Sequence, residues 1–162
     1  MERDLRSVVI TVSDACSRGE RADDSGELLD ALLKESGAKV IDRRIVSDDL
    51  APLAKLLSEF AAREEVNLIV TTGGTGLGPR DNTPEATLSV IEREVPGIAE
   101  AIRAESLKFT PMAMISRGVC GVRSGTLIVN LPGSPKAVRE SFSVIKPVLK
   151  HAVALLAGQT RH

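Results

Sequence analysis

The run Thr72-Gly73-Gly74-Thr75-Gly76-Leu77-Gly78 presents backbone N–H groups with few side chains in front of them, which suits the close approach of an anion, phosphate above all. No Lys-Ser/Thr pair follows at Walker A spacing, and the glycines do not fall at the GxGxxG spacing of a dinucleotide fold. Asp81 comes next, within Arg80-Asp81-Asn82-Thr83-Pro84. A carboxylate beside a phosphate is repelled unless a cation intervenes, and magnesium is typically held by one or two carboxylates together with substrate phosphates and water. Asp81 and Asn82 also suit a plainer task, capping the helix that follows. Asp48 and Asp49 form a second acidic turn after another strand-like run, and a surface turn would use the same residues with no chemistry. Ser13-Asp14, Ser116-Arg117 and Pro132-Gly133-Ser134-Pro135 complete the polar loops, Ser134 being equally suited to cap a helix.

An alternation of strands and helices must position these loops. Residues 7–13 are a β-branched run, and Leu28, Leu29, Leu32 and Leu33 then fall at helical spacing up to a stop at Gly37. Residues 39–46 predict a second strand, and Leu50, Leu53, Ala54, Leu57, Phe60 and Ala61 a second helical stripe. Residues 66–72 predict a buried strand that runs straight into the glycines, after which Thr83 is expected to cap a helix starting at Pro84 and ending near Pro96-Gly97. Residues 98–108 predict a further helix, and residues 109–121 show no clean period. Thr126-Leu127-Ile128-Val129-Asn130-Leu131 is strand-like, followed by a helix from Pro135 that Pro147 is expected to restart or kink. Such an alternation argues for a mostly parallel sheet covered on both faces, where ligands bind beyond the carboxyl ends of the strands.

Composition narrows the choice of function. The 162 residues are 43% hydrophobic and 27% charged, enough for a core, with three Phe and no Trp or Tyr, so Val, Ile, Leu and Ala must build it. A net charge of -1 without blocks of like sign disfavours nucleic acid and anionic lipid as partners. No apolar run approaches the ~20 residues of a membrane helix, and the expected compartment is the cytoplasm. Cys16 and Cys120 stand apart, outside any CxxC pattern, and read as reduced structural residues. His151 and His162 have no metal-site spacing.

Three segments together resemble the molybdopterin-binding family: Thr71-Thr72-Gly73-Gly74-Thr75-Gly76, Arg80-Asp81-Asn82-Thr83-Pro84-Glu85-Ala86-Thr87 and Leu131-Pro132-Gly133-Ser134-Pro135-Lys136-Ala137. Val12-Ser13-Asp14, Ser116-Arg117 and Thr126-Leu127-Ile128-Val129-Asn130 fit the same pattern, so the likeness covers nearly the whole chain. It implies one molybdopterin-binding domain over residues 1–162, a three-layer α/β/α sandwich with a mostly parallel sheet, assembled as a homotrimer or hexamer. Adenylyltransferases of molybdenum cofactor biosynthesis belong to that family. For them the resemblance implies that a terminal phosphate of molybdopterin attacks the α-phosphate of ATP and releases pyrophosphate, before a partner protein inserts molybdate. Carried over by position, the family's essential acids match Asp48 and Asp81, as catalytic residues that position Mg2+, although Ser47 stands where a proline is usual. Thr72, Gly73, Gly74, Thr75, Gly76, Pro132, Gly133 and Ser134 are the implied nucleotide-binding residues, and Ser13, Asp14 and Ser116 the implied molybdopterin-binding ones. A protein of the same fold that binds molybdopterin or a precursor without adenylylating it is the alternative, and an unrelated nucleotide pyrophosphatase a more distant one.

Overall fold

Val8, Ile10 and Val12 point to one side of the first strand and Val9 to the other, and both sides are buried, as a strand at the centre of a parallel sheet requires. The structure, a computed structural model, describes residues 3–159, and His162 lies outside them. β1 (Arg6–Val12) leads through the one-turn α1 (Asp14–Ser17) to α2 (Asp24–Glu35), β2 (Lys39–Val46), α3 (Leu50–Ala61) and β3 (Leu68–Thr72). Then come α4 (Thr83–Val90), β4 (Arg93–Glu94), α5 (Pro96–Ser106), a 3-10 turn (Pro111–Ile115), β5 (Cys120–Arg123), β6 (Thr126–Leu131) and α6 (Pro135–Leu156).

The strands form one sheet in the order β2-β1-β3-β6-β5-β4. β2, β1, β3 and β6 run parallel, with Ser7 opposite Leu68 and Leu68 opposite Leu127, while β5 is antiparallel to β6. Leu29 and Leu33 of α2, Ile102 of α5, and Val138, Phe142, Ile145 and Leu149 of α6 pack with Val9, Val70 and Val129 on one face. Leu53, Leu57 and Phe60 of α3 and Ala86 and Val90 of α4 pack with Val8, Ile10, Ile69 and Ile128 on the other. The expected three layers are therefore present, the parallel strands β1, β3 and β6 filling both with branched side chains at period two, while β2 is the more exposed edge.

Several expected boundaries differ, each for a physical reason. Ser13 is the N-cap of α1 instead of the last residue of β1, its Oγ accepting from the Cys16 N–H at 3.2 Å. β3 begins at Leu68, because Asn67 spends its side chain on the neighbouring backbone: Oδ1 accepts from the Arg6 N–H at 2.8 Å and Nδ2 donates to the Asp4 carbonyl at 2.9 Å. Asn82, not Thr83, holds the cap position of α4, which stops at Val90 well before Pro96. The stretch between holds β4, too short and exposed to leave an apolar pattern. α6 runs without a break through Pro147, which lies with Ser143 on the exposed face, so the carbonyl freed by the missing N–H can turn to water. Cys16 and Cys120 are buried free thiols, and burial pushes Cys120 up to about 12. Among the described residues no helix is long and apolar enough to cross a membrane.

Candidate active site

β1 lies between β2 and β3, so the chain leaves it in one direction to form β2 and returns on the other side to form β3. Connections diverge at such a point and leave a crevice beyond the strand ends. Val12 and Thr72 end the two strands that border it, and the glycine-rich run closes over its floor. Gly73 holds φ of 101°, and a Cβ on it would stand 2.3 Å from the Val12 carbonyl oxygen, so only glycine brings β3's exit this close to β1. α4 pins the run from the far side: Thr83 donates from Oγ1 to the Gly73 carbonyl at 2.9 Å and from its N–H to the Gly74 carbonyl at 3.1 Å. The hydroxyl expected to cap the helix is therefore used to hold the loop. Thr72 Oγ1 donates to the Pro132 carbonyl at 2.7 Å, and Ser25 Oγ to the Gly133 carbonyl at 2.6 Å, which draws the turn after β6 to the same place.

The crevice is a cleft of about 500 Å³. Asp48 and Asp81 both line it, together with Thr72, Gly73 and Gly74. Ser13, Gly133 and Ser134 do so as well, Ser134 also capping α6 by accepting from the Ala137 N–H at 3.2 Å. Other predicted residues lie elsewhere. Asp14 stands behind Asp48 as its support; the Thr75 and Gly76 carbonyls are turned to Arg117. Ser116 and Pro132 line a second cavity of about 230 Å³ between α5, the 3-10 turn and α6, which Ser134 shares with the cleft. Sequence reasoning missed the contribution of Arg21 and Asp23, from the connection between α1 and α2, and of Ser25, in the first turn of α2, all of which line the cleft. The dense polar run Arg21-Ala22-Asp23-Asp24-Ser25 was the signal available for them.

The two acidic positions after β1 and β2 are locked together. The Asp14 N–H donates to Asp48 Oδ2 at 2.9 Å and the Asp48 N–H donates to Asp14 Oδ1 at 3.0 Å. Arg80 closes on them from the glycine-rich side, donating to Asp14 Oδ2 at 2.6 Å and Oδ1 at 3.0 Å, and to Asp49 Oδ1 at 2.9 Å. Asn82 Nδ2 donates to the Asp48 carbonyl at 3.1 Å. These contacts divide the acids into two kinds. Hydrogen bonds from Arg80, then from the Asp48 N–H, hold Asp14 down at about 2, whereas burial, with the charges of Asp14 and Asp81 adding to it, raises Asp48 above the ordinary carboxylate value.

Asp48 is thus a carboxylate whose own surroundings disfavour its charge, facing a cleft that also holds Asp81. A cation between them would remove that penalty. Both offer hard oxygen atoms against a loop without side chains: Asp48 Oδ1 is 3.4 Å from where a Cβ on Gly74 would stand, and Asp81 Oδ2 is 2.9 Å from that of Gly76. Among the described residues no group of three or more His, Cys, Asp or Glu could hold a metal by itself. The donor set fits magnesium bound jointly with ligand phosphates and water, and does not make a closed protein cage.

The ion pair of Asp14 has a measurable consequence. Its folded value of about 2 lies below the ordinary 3.8, so its stabilisation is complete above 3.8 and is lost as pH falls through about 2. Carbon-13 titration of the Asp14 carboxyl should give a midpoint near 2, returning toward 3.8 in Arg80→Ala. A native midpoint at the ordinary value would show that Arg80 does not hold Asp14 in solution.

The model of the "Probable molybdopterin binding domain" family matches residues 8–151. The cinnamon protein of Drosophila melanogaster, a molybdenum cofactor synthesis protein, is 45% identical over 149 residues, which is 91% of this chain and 25% of that longer one. The molybdopterin adenylyltransferase of Helicobacter pylori strain J99 is 38% identical over 152 residues, 93% of this chain and 86% of its own. Among solved structures, the molybdopterin biosynthesis enzyme MoaB of Thermus thermophilus superposes with a TM-score of 0.89 at 49% identity, covering 95% of this chain and 97% of that one.

Proposed function

This chain belongs to the molybdopterin-binding domain family, and from that premise we propose that it is a molybdopterin adenylyltransferase acting in molybdenum cofactor biosynthesis. The observation that carries the reading is the pairing of Asp48 with Asp81 in a glycine-floored cleft at the switch point of the sheet. An oxygen of the molybdopterin phosphate forms a bond to the α-phosphorus of ATP, the bond from that phosphorus to the bridging oxygen breaks, and pyrophosphate leaves. The phosphate nucleophile is ionised at neutral pH, so no general base is required. Backbone N–H groups of residues 74–76 and of Gly133 and Ser134 take phosphate oxygens on which charge builds, in loops fixed in advance by Thr83, Thr72 and Ser25. Asp48 and Asp81 are the residues that would hold magnesium; the ion supplies charge neutralisation for the phosphates.

Arg21 lines the cleft and donates from Nη2 to Ser13 Oγ at 3.3 Å, which makes it a cationic contact for a phosphate group. Ser13 and Asp14 stand on the molybdopterin side in this reading. Ser116 belongs with Pro132 in the cavity that adjoins the cleft through Ser134, so one of the two ring systems, pterin or adenine, enters there. The family resemblance also underlies our proposals of one functional domain over residues 1–162, a homotrimer or hexamer, a cytoplasmic location and hand-over to a molybdate-inserting partner.

The test mixes purified protein with molybdopterin, ATP and magnesium and follows adenylylated pterin and pyrophosphate by chromatography. Both products in equal amounts are expected. Bound pterin with neither product would make the chain a binding protein of the same fold.

A further inference from the structure

Arg117 lies outside the cleft, yet it is tied to both ends of the segment that delivers Asp81. Its N–H donates to the Thr75 carbonyl at 2.8 Å, its Nε to the Gly76 carbonyl at 2.7 Å and its Nη2 to the Asp81 carbonyl at 2.8 Å. Its Nη1 pairs with Glu85 in the first turn of α4. One planar group therefore joins the start of the segment, its end and the helix that follows. Residues 76–81 have no helix or strand of their own. Besides Arg117, Asp81 is held locally by the Gly78 N–H, which donates to Asp81 Oδ2 at 2.8 Å, and by its own N–H, which donates to the Gly78 carbonyl at 3.0 Å.

The direction of these bonds matters as much as their presence. A guanidinium this close could pair with the Asp81 carboxylate and cancel it. Instead Arg117 takes the peptide carbonyl of Asp81, and Glu85 supplies the countercharge, so the carboxylate stays available to the cleft. Lysine cannot substitute, because its donors radiate from one atom and do not span a fork.

We propose that Arg117 is a positioning residue that sets Asp81 and the glycine-rich segment for magnesium-dependent phosphate chemistry, with Glu85 as the group that keeps its charge off Asp81. The proposal rests on the adenylyl-transfer reading of Asp81 given above, and its test separates the two. Arg117→Lys, Arg117→Ala and Glu85→Gln are compared with the native chain by hydrogen exchange of the hydrogen-bonded Gly78 and Asp81 amides, by the magnesium concentration giving half-maximal turnover, and by kcat and KM for ATP. Val153→Ala, in the buried C-terminal part of α6, serves as a control destabilised away from the cleft.

In the arginine variants exchange of the Gly78 and Asp81 amides should speed up roughly tenfold, the magnesium requirement should rise roughly tenfold, and kcat should fall roughly 10- to 100-fold, as for the loss of an outer-shell support. Millimolar guanidinium should restore part of the kcat of Arg117→Ala. Glu85→Gln should raise the magnesium requirement by freeing Arg117 to approach the Asp81 carboxylate, and together with Arg117→Lys it decides the matter if Arg117→Ala does not fold. Native exchange and native magnesium dependence in Arg117→Lys would overturn the proposal, as would variants that differ from native only in melting temperature, in the manner of Val153→Ala. A native chain without adenylyl transfer would instead sink the parent reading, and the exchange data would still decide whether Arg117 positions Asp81.

Discussion

Asp81→Asn should lower kcat for adenylyl transfer by about 10²- to 10³-fold, the size of effect found when a preorganised electrostatic group is removed from a developing charge. Its melting temperature should stay near native. The carboxylate accepts the Gly78 N–H at 2.8 Å, and an amide oxygen can accept the same bond, so the loop keeps its local closure. What disappears is the negative charge that, in the proposed mechanism, would hold magnesium. Asp48→Asn should lose activity to a similar extent for the same reason, and it too keeps an acceptor for the Asp14 N–H. Because burial and the neighbouring acids already disfavour the charge of Asp48, its removal should leave the melting temperature unchanged or higher. Activity lost while stability is kept is the signature of residues retained for chemistry. Native turnover in both variants would reject the mechanism while leaving the family membership intact.

Gly73→Ala should destabilise the fold by about 3 to 4 kcal/mol, lowering the melting temperature by on the order of 10 °C. Two penalties combine at this position. The backbone holds φ of 101°, which an L side chain rarely adopts, and the new Cβ would meet the Val12 carbonyl oxygen at 2.3 Å. That oxygen belongs to the last residue of β1, so relief requires moving a central strand instead of turning a side chain. Gly19 provides the comparison: it has φ of 72° with nothing within 4 Å of a Cβ, so Gly19→Ala bears the conformational penalty alone, about 1 kcal/mol. Thermal unfolding of the two variants separates the clash from the dihedral. A Gly73→Ala loss no larger than that of Gly19→Ala would mean that β1 and β3 are not pressed together at the cleft floor.

Elements with a strong period were legible in the chain. The β-branched runs of β1, β3 and β6 and the leucine stripes of α2 and α3 report local burial, and local burial follows directly from the order of apolar residues. The antiparallel edge was not legible: β4 is an exposed pair of residues and β5 reads Cys-Gly-Val-Arg, so neither carries enough side chains to show a period. Of the two outcomes expected at Pro147, a restart of the helix did not occur, since packing on the opposite side of α6 outweighs one missing hydrogen bond.

At the site, the glycines after a buried strand, Asp81 in the polar run that follows them and the acidic turn at Asp48 after another strand can be read as strand-end loops from composition alone, which left helix capping and a plain surface turn open; the family resemblance is what singled out Asp48 and Asp81. Strand order is decided differently. One β-branched run is much like another, so long-range pairing, not local pattern, places β1 between β2 and β3 and thereby brings Ser13, Asp48 and Gly73 around one cleft. The same pairing sends Ser116 to the adjoining cavity and brings Arg117 to the back of Asp81 across 36 positions of chain. Sequence by itself determined which loops are glycine-rich or acidic, and so suited to phosphate and to a metal ion, because those properties belong to residue types. Only the tertiary structure decided which of these loops meet, which acid is held ionised and which is raised, because both depend on neighbours that the folded sheet alone supplies.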